Sequence, residues 1–259
     1  MARKLFDPKS SAPFEISRSK LELFLDCPRC FYLDRRFGIG RPSFPAFTLN
    51  SAVDTLLKKE FDILRIKKES HPLMKNYGID LIPFQNEKMD EWRHNFTGVR
   101  FLHKSTNFLV FGAIDDLWVD KEGVLYVVDY KSTSTEAEVT LNGEYKEAYK
   151  RQVEIYQWLL RKNGFKVSDI AYFVYANGRK DLKAFDAKLE FNISILAHHG
   201  NDAWVEKTVI DARYCLDQSY LPDSTYDCEY CNYRKAAGLT ESQQKIKSNA
   251  KKDKNNSMF

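Results

Sequence analysis

Residues 108–132 read FLVFGAIDDLWVDKEGVLYVVDYKS, and this stretch decides the fold. Phe108 to Val119 has the composition of a strand, Asp120-Lys121-Glu122-Gly123 that of a hairpin turn, and Val124 to Tyr130 that of a second strand. The run Val124-Leu125-Tyr126-Val127-Val128 is apolar throughout, as in a central strand covered on both faces. A short turn makes the two strands antiparallel and brings Asp115 and Asp129 together. Two such acids repel one another unless a cation neutralises them. Their hard oxygens suit Mg²⁺ or Mn²⁺, with the Tyr130 carbonyl as an added ligand. Lys131 stands two residues after Asp129 and shares its face of the strand. There it can steady an attacking water or a phosphate oxygen. The plain alternative is a strand end with ordinary salt-bridged charges, because Asp-x-Lys alone is a common sequence.

Downstream, a helix from about Glu144 to Asn163 is closed by Gly164. Gln152 and Tyr156, four residues apart, share one face of it and can turn toward the acids. Ile170 to Tyr175 and Lys183 to Ile195 read as strands, and Asp202 to Leu216 as a helix. Upstream, Ser17 suits a helix N-cap before Leu21, Phe24 and Leu25, and Pro28 breaks that helix. A further helix runs from about Phe47 to Arg65, striped by Val53, Leu56, Leu57, Phe61 and Leu64. The order predicts an α/β (α+β) fold, a mixed β-sheet flanked by helices. Residues 1–15 read as an arm, 16–239 as one domain and 66–105 as an irregular insertion with a short helix near Asn86 to Asn95. Residues 240–259 read as a disordered basic tail whose lysines, Lys245, Lys247, Lys251, Lys252 and Lys254, add affinity for phosphates or only solubility.

The 259 residues are 43% hydrophobic and 14% aromatic, enough for a substantial core, and a net charge of +4 is compatible with a polyanionic partner. No apolar stretch is long enough to cross a bilayer and no secretory pattern opens the sequence, so a soluble cytoplasmic protein is expected. Cys27-x-x-Cys30 and Cys228-x-x-Cys231 form two pairs, which in a reducing compartment more often hold metal than form disulfides. Cys215 reads as a small core residue. His198-His199 has no acid or cysteine at ligand spacing, and a loop or helix start is the expected location. Arg35, Arg36 and Arg41 with Phe37 and Phe44 suit either a nucleic-acid channel or a solvated face.

Gly112-Ala113-Ile114-Asp115, Val128-Asp129-Tyr130-Lys131-Ser132 and Gln152-Val153-Glu154-Ile155-Tyr156 together resemble the RecB-like branch of the PD-(D/E)XK nuclease superfamily. The same is true of Ser17-x-Ser19-x-Leu21-x-x-Phe24-x-x-Cys27-Pro28-x-x-Phe31-Tyr32-Leu33 and of Cys228-x-x-Cys231-x-Tyr233. The resemblance covers about residues 16–235 and implies a restriction-endonuclease-like core and metal-dependent cleavage of DNA, single-stranded or end-containing, by exonuclease or flap cutting. It also implies a role in repair, recombination or CRISPR adaptation, beside a helicase or integrase. The family places a histidine ligand on the early helix, where this chain has Asp54. Related nucleases carry a [4Fe–4S] cluster on one N-terminal and three C-terminal cysteines, whereas this chain offers two and two. The resemblance favours the cluster, and Zn²⁺ is the alternative. Two other readings stand beside the nuclease: an inactive DNA-binding or scaffold subunit, supported by Asp54, and a redox sensor centred on the cysteines.

Overall fold

The computed structural model describes residues 4–43, 45 and 47–256. Its elements are β1 (Phe14–Ser17), α1 (Arg18–Asp26), α2 (Pro28–Phe37), α3 (Thr48–Lys67), α4 (Pro72–Asn76), β2 (Ile82–Pro83), α5 (Met89–Arg93), β3 (Val99–His103), β4 (Phe108–Gly112), β5 (Asp116–Val119), β6 (Leu125–Thr133), α6 (Glu144–Lys162), β7 (Ile170–Gly178), β8 (Phe191–His199), α7 (Ala203–Asp217) and α8 (Glu229–Asn256). They fall into two compact units. One comprises residues 9–22 and 44–213; the other comprises residues 1–8, 23–43 and 214–259.

The larger unit is the mixed α/β fold expected, with two sheets ordered β1-β4-β3 and β2-β5-β6-β7-β8. β5 and β6 pair antiparallel across the Asp120–Gly123 turn, where Asp120 Oδ1 accepts from the Glu122 and Val124 amides and Gly123 takes a φ of +77°. β6 and β7 run parallel, so the chain must cross over between them, and α6 is that crossover. α3 packs on β6 and β2. Phe61 of α3 lies against Trp118 and Tyr130, with ring centroids 5.6 and 5.5 Å away, in a core shared with Val128, Val174 and Ile195. α6 packs on β3, β4 and β6.

The stretch expected as one strand over Phe108 to Val119 is two. β4 pairs with β1 and β3, whereas β5 pairs with β2 and β6, and residues 113–115 make the switch between sheets. Gly112 ends β4 where a Cβ would stand 2.6 Å from Tyr156 Cε1, so the strand lies too close to α6 to carry a side chain there. The strand expected over 183–195 lies at Phe191–His199, because Asp186 and Ala187 take left-handed φ values of +43° and +56° in the preceding turn. Residues 66–105 contain α4, β2, α5 and β3, the last paired in full with β4. β1 starts within the expected arm, and α8 continues through 240 to Asn256.

The smaller unit consists of α2, α8 and the flanking ends of α1 and α7. As expected, Pro28 divides α1 from α2. The Tyr32 hydroxyl donates to the Gln218 carbonyl at 2.9 Å, and Arg29 Nε to the Pro222 carbonyl at 2.8 Å. Cys215 is buried as expected, which pushes its thiol up to about 11. No helix among the described residues is long and apolar enough to cross a membrane.

Candidate active site and cysteine centre

Asp129 lies in the middle of β6 and is fully buried. Its Oδ1 accepts a 2.7 Å hydrogen bond from Gln152 Nε2, and its Oδ2, with no hydrogen bond among the described residues, is ion-paired to Lys131 Nζ. Burial pushes the Asp129 carboxyl up to about 7 against the opposing pull of Lys131. Asp115 comes to the same place from the end of β5. Beyond Asp116, β5 offers no further partner to β6, and the Asp115 carboxylate accepts from the Tyr130 amide at 3.0 Å in its stead. The Tyr130 amide thereby fastens Asp115 to β6.

α6 supplies the remaining predicted residues. The Gln152 amide nitrogen also lies 3.2 Å from the Tyr156 hydroxyl, so the i, i+4 pair reaches Asp129 as a chain. Asp54 of α3 is the third acid. Burial and the Asp115 charge raise its carboxyl above the ordinary range. Lys58, one turn later, places Nζ 2.8 Å from Asp54 and 2.9 Å from Asp115, joining the two acids. Burial alone would lower the Lys58 ammonium, but the two carboxylates together raise it.

Lys58 is the main residue that the motif leaves out, although its i+4 spacing from Asp54 makes it visible in the sequence. Tyr149 of α6 is another. Lys131 Nζ stands 4.5 Å from its ring centroid, and Lys146 lies over both Tyr149 and Tyr175. Burial, with the Lys131 charge, lowers the Lys146 ammonium. Lys131 itself, half-buried, is held cationic by Asp129 and Asp115.

Asp116 has a different environment from its neighbour. It is fully buried, with Arg65 Nη2 at 2.5 Å, Arg93 Nη2 at 3.2 Å and the Tyr130 hydroxyl at 2.6 Å. Every one of these contacts is internal to the fold, so Asp116 fastens β5 to α3 and α5 and is not a ligand. His198 is also structural. It lies on β8, not in a loop, and its Nε2 meets Glu154 Oε1 at 2.9 Å, an acid that α6 delivers from 44 residues away. Glu154 further accepts from Trp204 Nε1 at 2.6 Å and from the Asn201 amide at 3.2 Å.

Three hard carboxylates, whose oxygens pair with Lys58 and Lys131 in this structure, are donors that suit a divalent cation of the magnesium type.

In the smaller unit, Cys27, Cys30, Cys228 and Cys231 are all buried, and their sulfurs lie within 4.8 Å of one another. Cys27 is the residue before α2, and Cys228 the residue before α8. Cys30 and Cys231 each sit three residues later, in the first helical turn. Each pair thus straddles a helix N-terminus, whose free amides and dipole favour thiolates. The backbone amides of Cys30 and Thr225 bring Cys27 down to about 7 despite its burial, whereas burial raises the Cys30 and Cys231 thiols, which a bound cation would have to offset. Arg41 donates to Cys228 Sγ at 3.4 Å, and its guanidinium lies 4.5 Å from the Tyr230 ring centroid. Arg41 also pairs with Asp26, so it is committed to partners inside this unit and is not on a solvated face. Arg35 is buried against Asp34, and Arg36 packs over Phe6 and Tyr32. Phe37 is exposed at the end of α2, and Phe44 lies outside the described residues. Four thiolates so gathered can hold a metal ion or an iron–sulfur cluster.

No curated protein matches the chain. Among solved structures, the crystal structure of SSO0001 aligns over 87% of this chain and 85% of its own, with 15% identity and a TM-score of 0.33. A family profile, that of the PD-(D/E)XK nuclease superfamily, matches residues 15–236, from β1 into the first turns of α8. That span takes in the paired acids of β5 and β6, the lysine beside them, the glutamine of α6 and all four clustered cysteines, and on that match the chain belongs to the PD-(D/E)XK nuclease superfamily.

Proposed function

We propose that the protein is a divalent-metal-dependent nuclease of the RecB-like branch that hydrolyses phosphodiester bonds in DNA. The observation that carries this reading is the convergence of Asp115, Asp129, Lys131 and Gln152 at the adjoining ends and centre of β5 and β6. A scaffold would gain nothing from burying Asp129 beside a lysine, since a well-packed apolar pair is at least as stable.

Asp54, Asp115, Asp129 and the Tyr130 carbonyl would hold Mg²⁺ or Mn²⁺. A bound ion supplies Lewis acidity toward the phosphoryl group and acidifies a water for attack. Lys131, kept protonated by its neighbouring carboxylates, offsets negative charge developing on the phosphate. Gln152 holds the Asp129 carboxylate in one orientation, and the Tyr156 hydroxyl holds Gln152. Single-stranded or end-containing DNA is the substrate this reading favours, with exonuclease or flap cutting in repair, recombination or CRISPR adaptation. A helicase or integrase partner and a cytoplasmic location belong to the same proposal.

A second reading, an inactive DNA-binding subunit, is favoured by Lys58, which already pairs with both Asp54 and Asp115. Cleavage of end-labelled single- and double-stranded DNA with Mg²⁺ or Mn²⁺, by wild type and by Asp129→Ala, separates the two. Cleavage lost in the variant supports the nuclease. Absence of cleavage by folded wild type, with no calorimetric Mg²⁺ binding, supports the scaffold.

A further inference from the structure

The four cysteines are set too close together for a cubane. In a [4Fe–4S] cluster each thiolate binds a separate iron at alternate corners of the cube and points away from its centre. The sulfurs then stand roughly 6 Å apart. Four thiolates around one zinc ion share a single centre at about 2.3 Å, which puts the edges of their tetrahedron at about 3.8 Å. Here Cys30 Sγ lies 3.6 Å from Cys228 and 3.7 Å from Cys231, and Cys27 Sγ lies 3.9 Å from Cys231. No pair among the four exceeds 4.8 Å.

A two-iron cluster fails for a related reason. It would divide the sulfurs into two pairs, close within a pair and well separated between pairs. Cys30 is equally near to Cys228 and Cys231, and Cys231 is equally near to Cys30 and Cys27, so no such division exists.

We infer that Cys27, Cys30, Cys228 and Cys231 form a closed tetrahedral site for one zinc ion, in place of the iron–sulfur cluster that the family resemblance favours. The two-plus-two sequence arrangement agrees, because C-x-x-C pairs that each begin at a helix N-terminus are typical halves of structural zinc sites. Four thiolates and Zn²⁺ leave two negative charges. Arg41, donating to Cys228 Sγ, and the N-termini of α2 and α8 offset them. The site has four protein ligands and needs no water or sulfide. Zn²⁺ has no accessible second oxidation state, so the ion itself brings no electron-transfer chemistry to the site. Its role is to fasten residues 27–30 to residues 228–231 across almost the whole length of the chain.

The test is metal analysis of the full chain produced in iron-replete, zinc-restricted medium and purified without oxygen. The expected result is one zinc per chain, no acid-labile sulfide and no broad visible absorption. Metal-free protein offered Zn²⁺ in one vessel and iron with sulfide in another should regain its thermal transition only with zinc. Cobalt exchanged into the site should give the intense visible bands of a tetrahedral thiolate centre. About four irons and four sulfides per chain would overturn the inference, and so would a thermal transition restored by the cluster. A folded chain without any metal would overturn it as well. None of these readouts involves cleavage, so the nuclease proposal stands or falls separately, and Asp129→Ala should keep its full zinc content.

Discussion

The protein contains two clusters of chemically potent side chains, one of carboxylates and one of cysteines, built on opposite plans. The carboxylate centre is assembled from strand and helix interiors, with Asp129 in the body of β6 and Asp54 in the second turn of α3. Its oxygens are already paired with lysines and partly open, the Asp54 side chain being 34% exposed. The cysteine centre is assembled at two helix starts, every sulfur is buried, and the sulfurs neighbour one another. A hard-donor site that keeps cationic partners and some access to solvent suits chemistry. A soft-donor site whose sulfurs are buried beside one another suits architecture. The difference is legible from which groups surround the ligands, before any metal is considered.

The sharpest way to break this comparison is Asp129→Ala. Cleavage should fall by roughly 10³-fold or more, while far-UV circular dichroism and zinc content stay at wild-type levels. Retained cleavage would remove the division of labour altogether. Cys30→Ser should act in the converse way. Bound zinc should fall well below one per chain, and hydrogen exchange should quicken in α2 and the start of α8, with about 2–5 kcal/mol of local stability lost. Unchanged exchange there would show that the thiols hold nothing.

Glu154 sharpens the comparison, because it anchors the helix that carries Gln152 and Tyr156. Glu154→Gln should cost about 1–3 kcal/mol, since the His198, Trp204 and Asn201 donors lose a charged acceptor. Burial on its own raises the Glu154 carboxyl, but those donors together lower it below the ordinary range. Its contribution is therefore complete above about pH 4.3, the unperturbed glutamate value, and is lost as the pH falls through the lower folded value. Thermal melts between about pH 5 and 3 should show a shallower decline for Glu154→Gln than for wild type; parallel curves would contradict this account. The smallest expected effect is that of Lys58→Met. Removing the cation between Asp54 and Asp115 should tighten Mg²⁺ binding by roughly three- to tenfold in calorimetry. Weaker binding would mean that Lys58 orients the acids instead of competing for them.

How much of this was readable in the sequence depended on the range of the interactions involved. β6 and α6 were legible because their patterns are local: an unbroken apolar run for one, an i, i+4 pair for the other. β1 was not, since four residues, Phe14–Ser17, become a strand only by pairing in parallel with Phe108–Phe111. The switch at residues 113–115 left no mark in the apolar pattern, because both flanking strands are buried. In the site, Asp115, Asp129 and Lys131 stood out through their spacing. Lys58 shared a helix face with Asp54 and could have been noticed, but its second partner, Asp115, lies 57 positions away. Arg41 was harder still. Only tertiary structure distinguishes an arginine that donates to a cysteine sulfur from one that faces water.

The lysine between Asp54 and Asp115 has a consequence for supply. Three acids, Asp54, Asp115 and Asp129, and two ammonium groups, Lys58 and Lys131, leave a single negative charge in the centre when all are ionised. On the proposed function, a divalent cation arriving there would displace a resident ammonium from its carboxylates and would not fill a deep negative well. Its binding would then be an exchange with a modest constant. An enzyme of that kind would be loaded at ordinary cellular magnesium and emptied when magnesium becomes scarce. Its idle form would remain electrostatically quiet and intact, ready to be recharged.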